Sequence, residues 1–214
     1  MTTYSKIETL YNRDINGSKK LIEGEFRNET IEFLKDITWQ FTEKIDGTNI
    51  RIMWDGHKIT YGGRTERASI PAHLMNKLIE LFGNEETEQL FEQTFGEKEV
   101  ILFGEGYGVK IQGCGGLYRS DVSFILFDVM INGNYQSRGT VECVAKQFNL
   151  EIVPILFEGI LDEGVAYVKT KPMSTIGTAP MEGLVARPKV ELQDRCGNRV
   201  IVKIKVKDFE KVGE

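Results

Sequence analysis

Two segments with strand-like alternation flank the Asp46-Gly47 pair in the N-terminal half, and this arrangement limits the fold more than any other feature. Residues 37–44 form the first segment, and residues 50–54 form the second, in which every other side chain is a large apolar one. Asp55-Gly56 then predicts a hairpin into a return strand over residues 58–61. The two strands of such a hairpin pair in antiparallel fashion.

Later segments switch between helical and strand-like patterns. Apolar spacing predicts helices over residues 71–83, 85–95, 139–148 and 160–169. Apolar runs predict strands over residues 99–103, 122–131, 183–187 and 199–206, with an Asn-Gly turn at 132–133 leading back into Tyr135. The order of strands, helices and strands again favours an α+β fold with antiparallel sheets.

Composition excludes several classes of protein. The 214 residues include 41% hydrophobic and 28% charged residues, as in an ordinary soluble protein, and no apolar run approaches the roughly 20 residues of a membrane span. The net charge of −5 argues against non-specific coating of nucleic acid, but not against a local basic groove. Three widely spaced cysteines and two histidines argue against a zinc site and predict reduced thiols in a cytoplasmic compartment.

Lys44 lies two residues before the Asp-Gly pair and is the first candidate for chemistry. A lysine amine is a nucleophile only when neutral, and burial or nearby positive charge lowers its pKa from about 10.4. Alternation along a strand places Asp46 on the same face as Lys44, and Gly47 permits a tight turn. The tetrapeptide by itself is short, and taken alone it favours a surface lysine before a turn.

Basic and acidic side chains elsewhere fit a phosphate ligand. Lys203, Lys205 and Lys207 alternate with apolar residues, so they share one strand face and form a row suited to phosphates, or else to protecting a sheet edge. Carboxylates also recur beside glycine, and their convergence on phosphates would require a divalent cation. The glycine-rich residues 104–113 lack the Gly-Lys-Ser/Thr ending of a P-loop.

Taken in order, these segments resemble the motifs of the covalent nucleotidyltransferase superfamily of polynucleotide ligases and mRNA-capping enzymes. The matching segments are residues 44–49, 63–65, 102–108 with 124–129, 181–185 and 202–205. Within that superfamily the chain is most similar to RNA-ligase-2-like RNA ligases of the small, phage type. The features in common are Thr48-Asn49 after Asp-Gly, the spacing of residues 104–112, and the Phe127-Asp128 pair.

The resemblance implies an ATP-grasp-like adenylyltransferase fold and an ATP-dependent RNA ligase. Such an enzyme joins 5′-phosphate and 3′-hydroxyl RNA ends, or seals nicked duplexes, through lysyl-AMP, with Mg²⁺ or Mn²⁺. We expect residues 1–214 to form a single nucleotidyltransferase domain, without a C-terminal OB or other accessory domain, that acts as a monomer. A minimal ATP-dependent DNA ligase and a non-catalytic nucleic-acid-binding module are the alternatives.

The resemblance also implies a role for each candidate residue. Lys44 would be the nucleophile and Phe127 would stack on the base, although a phenylalanine ring is more often part of a core. The remaining contacts would be those of Glu43 and Ile45 with adenine, Glu105 with the ribose hydroxyls, Asn49 and Arg64 with sugar-phosphate groups, Lys203 and Lys205 with the α-phosphate, and Glu182 and Asp46 with the metal.

Overall fold

The chain forms two units, each built around its own sheet and hydrophobic core. The computed structural model describes residues 2–14, 16–17 and 20–210. Unit 1 contains residues 2–5 and 46–153, and unit 2 contains residues 6–45 and 154–210. Both units combine helices with largely antiparallel sheets, which confirms the predicted α+β class. The single nucleotidyltransferase domain stays a prediction.

The strands and helices are numbered in chain order. The strands are β1 (Glu8–Thr9), β2 (Tyr11–Arg13), β3 (Leu21–Phe26), β4 (Trp39–Lys44), β5 (Thr48–Trp54), β6 (Ile59–Gly63), β7 (Val100–Gly108), β8 (Val122–Ile131), β9 (Asn134–Tyr135), β10 (Glu151–Ile152), β11 (Ile155–Gly159), β12 (Gly183–Pro188) and β13 (Val202–Lys205). The helices are α1 (Glu29–Phe33), α2 (Ala72–Phe82), α3 (Glu85–Phe95), α4 (Gly115–Tyr118), α5 (Arg138–Gln147) and α6 (Leu161–Lys169), followed by a short 3₁₀ helix (Val206–Phe209). Among them, no helix of the described residues has the length and apolarity to cross a bilayer.

Unit 2 is organised by a five-stranded sheet in the order β1-β13-β12-β4-β11. The pairings are antiparallel except for that of β1 with β13, and β2 and β3 form a separate hairpin. Alternation buries Trp39 and Phe41 on one face of β4, where α6 completes the core. Gly164 permits this close packing, because a Cβ there would lie 2.3 Å from the Phe41 ring. Lys44 points to the opposite face.

Unit 1 is organised by a sheet in the order β10-β8-β7-β5-β6, with β9 added beside β8. Helices α2, α3 and α5 cover one face and bury the apolar side chains predicted for β5, including Ile50 and Ile52. The predicted hairpin at Asn132-Gly133 is confirmed: both residues have positive φ, 48° and 78°, as a type I′ turn requires.

Two predicted strand ends and one predicted strand face are wrong. β7 continues to Gly108 rather than ending at residue 103, because its glycines fit beneath neighbouring side chains; a Cβ on Gly104 would lie 2.3 Å from the Phe124 ring. β4 ends at Lys44, so Asp46 lies in a bend and does not alternate with Lys44 along a strand. β13 ends at Lys205, and Lys207 leaves the row because the chain turns into the 3₁₀ helix.

Candidate active site

A cross-strand row of Lys44, Gly183 and Lys205 lies on the face of the unit 2 sheet opposite α6. Gly183 is the register partner of Lys44 on β4 and of Lys205 on β13. Its φ is +155°, and a Cβ there would lie 2.1 Å from the Ile204 carbonyl oxygen, so the position requires glycine. The two lysines therefore flank a point on the sheet that carries no side chain.

Glu182 joins these two lysines. Its Oε2 lies 2.6 Å from the Lys44 Nζ, and its Oε1 lies 2.5 Å from the Lys205 Nζ. The three side chains are only 24%, 15% and 19% exposed for Lys44, Glu182 and Lys205, so the ion pairs are partly shielded yet open to a ligand. Burial acts to raise the pKa of Glu182, but the Lys44 charge and the Lys205 hydrogen bond outweigh it and lower the pKa.

Lys203 adds a third amine to the same face. It alternates with the buried Val202 and Ile204, and lies opposite Val185 on β12. Burial lowers the pKa of Lys203, and the charges of Lys205 and Lys44 lower it further. The face thus carries three amines, of which Lys44 and Lys205 pair with Glu182, and the excess of positive charge suits an anion with several negative oxygens.

Glu43 points away from this face. Its carboxylate is 1% exposed and accepts hydrogen bonds from the Ser174 hydroxyl and from the Thr175 hydroxyl and backbone N–H. Ile45, two residues after Glu43, is also buried. The predicted adenine contacts of Glu43 and Ile45 stay predictions. Ser174 and Thr175 were not predicted, since a Ser-Thr pair in a loop carries no distinctive pattern.

In unit 1, Asn49 and Glu105 are register partners on β5 and β7. Asn49 Oδ1 is buried and accepts no hydrogen bond from any residue that the structure describes. A buried acceptor without a donor costs about 1–3 kcal/mol, so this oxygen favours a ligand that donates, such as a hydroxyl group. The observation fits the sugar-phosphate role predicted for Asn49.

Phe127 occupies a β-bulge in β8. Phe103 of β7 pairs with Asp128 and Gly104 pairs with Leu126, which leaves Phe127 as the extra residue. Its half-buried ring meets the Tyr4 ring edge-on, with 5.1 Å between centroids, and the Tyr4 hydroxyl donates to Asp128 Oδ2 at 2.6 Å. Tyr4 was not predicted, because no local pattern links it to residues more than 120 positions away.

The bend at Asp46 and Gly47, where unit 1 resumes, is held by side chains of that same unit. Gln112 Nε2 donates to the Gly47 carbonyl at 3.0 Å, and the Asp46 N–H lies 3.4 Å from the Tyr118 hydroxyl oxygen. A Cβ on Gly47 would lie 2.4 Å from the Gly106 carbonyl oxygen, so the glycine of the Asp-Gly pair is required by packing. Gln112 closes the sequence segment that carried the resemblance, but its contact was not predicted.

Arg64 lies in the exposed loop that follows β6. The preceding residue, Gly63, accepts a hydrogen bond from Nε of the buried Arg51 at 2.8 Å. Burial is the main cause that lowers the pKa of Arg51. This contact fixes the backbone from which Arg64 extends, while its guanidinium remains accessible to a ligand.

The carboxylates fit a hydrated cation better than a protein-enclosed one. In the described ranges, no three His, Cys, Asp or Glu side chains cluster closely enough to hold a metal ion. Mg²⁺ typically keeps several waters and binds through one or two carboxylates and substrate phosphates. Glu182, beside the amine row, fits that limited role.

Sequence comparison assigns the chain to a family. The model of the RNA ligase family matches residues 37–205, which contain every candidate site residue. The chain belongs to the RNA ligase family. No curated protein matches this RNA ligase family member by sequence.

Solved structures of the Naegleria gruberi RNA ligase share the fold of this family member. An apo mutant form matches with a TM-score of 0.66 at 20% identity, covering 96% of this chain and 56% of that protein. A mutant with ATP and Mn matches with a TM-score of 0.62 at 21% identity, covering 84% and 54%. A form with PPi matches with a TM-score of 0.63 at 20% identity, covering 94% and 61%. The chain thus spans between half and two thirds of the length of these matches.

Proposed function

We propose that this RNA ligase family member is an ATP-dependent RNA ligase that carries AMP on Lys44. The observation that supports it most directly is the Glu182 carboxylate shared by Lys44 and Lys205 beside Gly183. That arrangement holds an amine next to an excess of positive charge, at a sheet position without a side chain. The positive charge beside the amine would stabilise the negative charge that develops on the phosphate during attack.

In the proposed first step, the Lys44 Nζ attacks the α-phosphorus of ATP. A nitrogen–phosphorus bond forms, the bond to the bridging oxygen breaks, and pyrophosphate leaves with the electron pair. The amine loses a proton in the process. Lys205 and Lys203 lie on the same face and would stabilise the negative charge that develops on the α-phosphate oxygens.

The other candidate residues would bind the nucleotide. We propose that Phe127 stacks on the base, that Asn49 Oδ1 and Glu105 accept from ribose hydroxyls, and that Arg64 contacts phosphate. A bound Mg²⁺ or Mn²⁺ would neutralise phosphate charge. Glu182 is the carboxylate proposed to contact such an ion, and the same role of Asp46 stays a prediction.

In the remaining steps, AMP would pass from Lys44 to the 5′-phosphate of an RNA end, and the 3′-hydroxyl of a second end would then displace AMP. A mutant of the Naegleria gruberi RNA ligase, which shares this fold, was solved with ATP and Mn. We propose the same cofactors for this chain.

A mass measurement tests the first step. The purified protein is incubated with ATP and Mg²⁺, and we expect its mass to increase by one AMP, with the adduct mapped to Lys44 and removed by acid. An unmodified protein, or an adduct on another residue, would contradict the proposal. Material as isolated is treated first with pyrophosphate to remove any AMP acquired during expression.

Sealing assays test the substrate. Matched nicked duplexes with RNA or DNA at the joined strand, and single-stranded RNA ends, are compared under the same conditions. We expect joining of RNA ends; joining of DNA alone would support the minimal DNA ligase. Binding of nucleic acid without an adduct would support the non-catalytic module.

We also propose that the protein acts as a monomer in the cytoplasm. Its three cysteines are free thiols, which supports a reducing compartment. Light scattering of the purified protein at its working concentration tests the oligomeric state.

A further inference from the structure

Glu43, the residue before Lys44, has a heavily hydrogen-bonded carboxylate that the proposed reaction does not use. Its Oε1 accepts from the Ser174 hydroxyl, and its Oε2 accepts from both the hydroxyl and the N–H of Thr175, the latter at 3.0 Å. A carboxylate has about four lone-pair positions, so three are occupied. The side chain is 1% exposed, which leaves little access to the fourth.

The orientation of β4 separates Glu43 from its neighbour. Glu43 shares a face with the buried Trp39 and Phe41, while Lys44 points to the face that carries Lys203 and Lys205. Glu43 therefore cannot contact the ligand atoms that Lys44 contacts from the same side of the sheet. The hydrogen-bond donors to its carboxylate, Ser174 and Thr175, lie in the loop that precedes β12.

That loop, residues 172–181, closes on itself. Met173 and Pro180 form an antiparallel bridge, the Ser174 N–H donates to the Ala179 carbonyl at 2.8 Å, and the Met181 N–H donates to the Pro172 carbonyl at 3.0 Å. The Ser174 hydroxyl also accepts from the backbone N–H of Ile176 at 2.9 Å. The loop is thus a defined unit with Glu43 as its anchor on the sheet.

The loop ends directly before Glu182. Met181 is the last residue of the loop. Glu182, the next residue, directly precedes β12 and pairs with Lys44 and Lys205. Fixing the loop at Glu43 fixes the backbone on which the Glu182 carboxylate is mounted. A shift of about 1 Å in such a support is enough to impair a reactive geometry.

We propose that Glu43 is a positioning residue: it anchors the loop of residues 172–181 through Ser174 and Thr175, and thereby holds Glu182 between the two lysines. This role rests on the proposed lysyl-AMP chemistry and differs from the direct adenine contact that the sequence resemblance implied. Glu43 and the Ser174-Thr175 pair then act as one unit.

The test compares variants of Glu43 with variants of its hydrogen-bond partners Ser174 and Thr175. Glu43→Gln, Thr175→Val and the Ser174→Ala/Thr175→Val double variant are assayed for the rate of AMP-adduct formation over a range of ATP concentrations, with GTP as competitor. Thr175→Ser keeps both donors and serves as the rescue variant. Thr170→Val is the matched control, because the Thr170 hydroxyl donates only to its own helix, at the Tyr167 carbonyl.

We expect Glu43→Gln and the double variant to lower the maximal rate to a similar extent, roughly tenfold or more, because each removes hydrogen bonds to a charged group. The ATP concentration for half-maximal rate and the preference for ATP over GTP should change much less. Combining Glu43→Gln with the double variant should add little further loss. Thr175→Ser and Thr170→Val should remain close to wild type.

The role is overturned if Glu43→Gln raises the half-saturating ATP concentration or relaxes the preference for ATP while Thr175→Val does neither, since that pattern indicates direct recognition of the base. Additive effects of the two sides would also overturn it. Thermal unfolding identifies any variant that fails to fold. In that case the adduct rates of Thr175→Val and Thr175→Ser are compared, because Thr175 is exposed. Failure of the proposed function is distinct, because the wild-type protein would then form no adduct.

Discussion

Glu182 holds Lys44 and Lys205 with a single carboxylate, its two oxygens lying 2.6 Å and 2.5 Å from the respective Nζ atoms. The two lysines come from strands that do not pair with each other, and Gly183 lies between them in the register. An anion entering at Gly183 therefore meets both ammonium groups, and it competes with Glu182 for them. Before a ligand binds, the Glu182 carboxylate offsets part of the charge of the two lysines.

Replacing the nucleophile should abolish adduct formation. We expect Lys44→Ala to acquire no protein-linked AMP while its circular dichroism spectrum remains that of the wild type. Lys189→Ala is the matched control, because Lys189 is an exposed lysine of unit 2 that pairs with Glu158 at 2.7 Å. A labelled Lys44→Ala protein would show that another nucleophile operates.

Removing the shared carboxylate should destabilise the protein in a pH-dependent way. The pKa of Glu182 lies below its ordinary value of 4.5, so its stabilising contribution is present above that pH and is lost as the pH falls through the lowered pKa. We expect Glu182→Gln to lower the free energy of unfolding by about 1–3 kcal/mol at pH 7.

Denaturant titrations at a series of pH values measure this difference between wild type and Glu182→Gln. The difference should be steady above pH 4.5 and should narrow below it. A difference that is the same at acid and neutral pH would show that the ion pairs do not contribute.

We expect the charge of Lys203 to lower the stability of the folded protein and to favour phosphate binding. Its pKa is lowered from 10.5, so at neutral pH the folded state disfavours the charge, and stability rises with pH between the lowered pKa and 10.5. We therefore expect Lys203→Met to raise the free energy of unfolding at pH 7. If Lys203 binds phosphate, the same variant should form the adduct about 10–100-fold more slowly.

The two measurements on Lys203→Met are made on the same preparation. Higher stability with unchanged labelling would restrict Lys203 to a role in the sheet. Lower stability would contradict the unfavourable charge.

Phe127 should contribute to nucleotide binding through its ring. We expect Phe127→Leu to weaken ATP binding by about 1–3 kcal/mol, the range found when an aromatic ring that stacks on a base is removed. Calorimetry in a Lys44→Ala background measures binding without reaction. Phe33→Leu is the control, because Phe33 is an exposed phenylalanine of unit 2. Equal affinities for the two variants would assign Phe127 to packing alone.

Local sequence patterns were sufficient to predict the bounds of those elements in which several signals agree. α3 begins and ends at the predicted residues 85 and 95, and β8 covers residues 122–131 as predicted. Asn84 caps α3 with its side chain, and Asn132-Gly133 supplies the turn after β8. In these places propensity, capping and burial agree.

The short N-terminal strands were not predicted. β1 has two residues and pairs with β13 almost two hundred positions away, and residues 21–26 of β3 alternate weakly and are mostly exposed. Such strands exist because a partner supplies their hydrogen bonds, and a single sequence does not reveal the partner. The same reason explains why the contact between Tyr4 and Asp128 was missed.

In the candidate site, too, local patterns predicted some features and long-range packing decided others. The sequence by itself determined the residue types that the chemistry needs: a lysine before Asp-Gly, alternating lysines on a late strand, and a carboxylate before a glycine, because each is a local pattern. Only the tertiary structure decided that Glu182 pairs with both Lys44 and Lys205, that Lys207 leaves the row, and that Glu43 anchors a loop on the other face. Those outcomes depend on strand register and strand ends, which are set by packing between segments far apart in the chain.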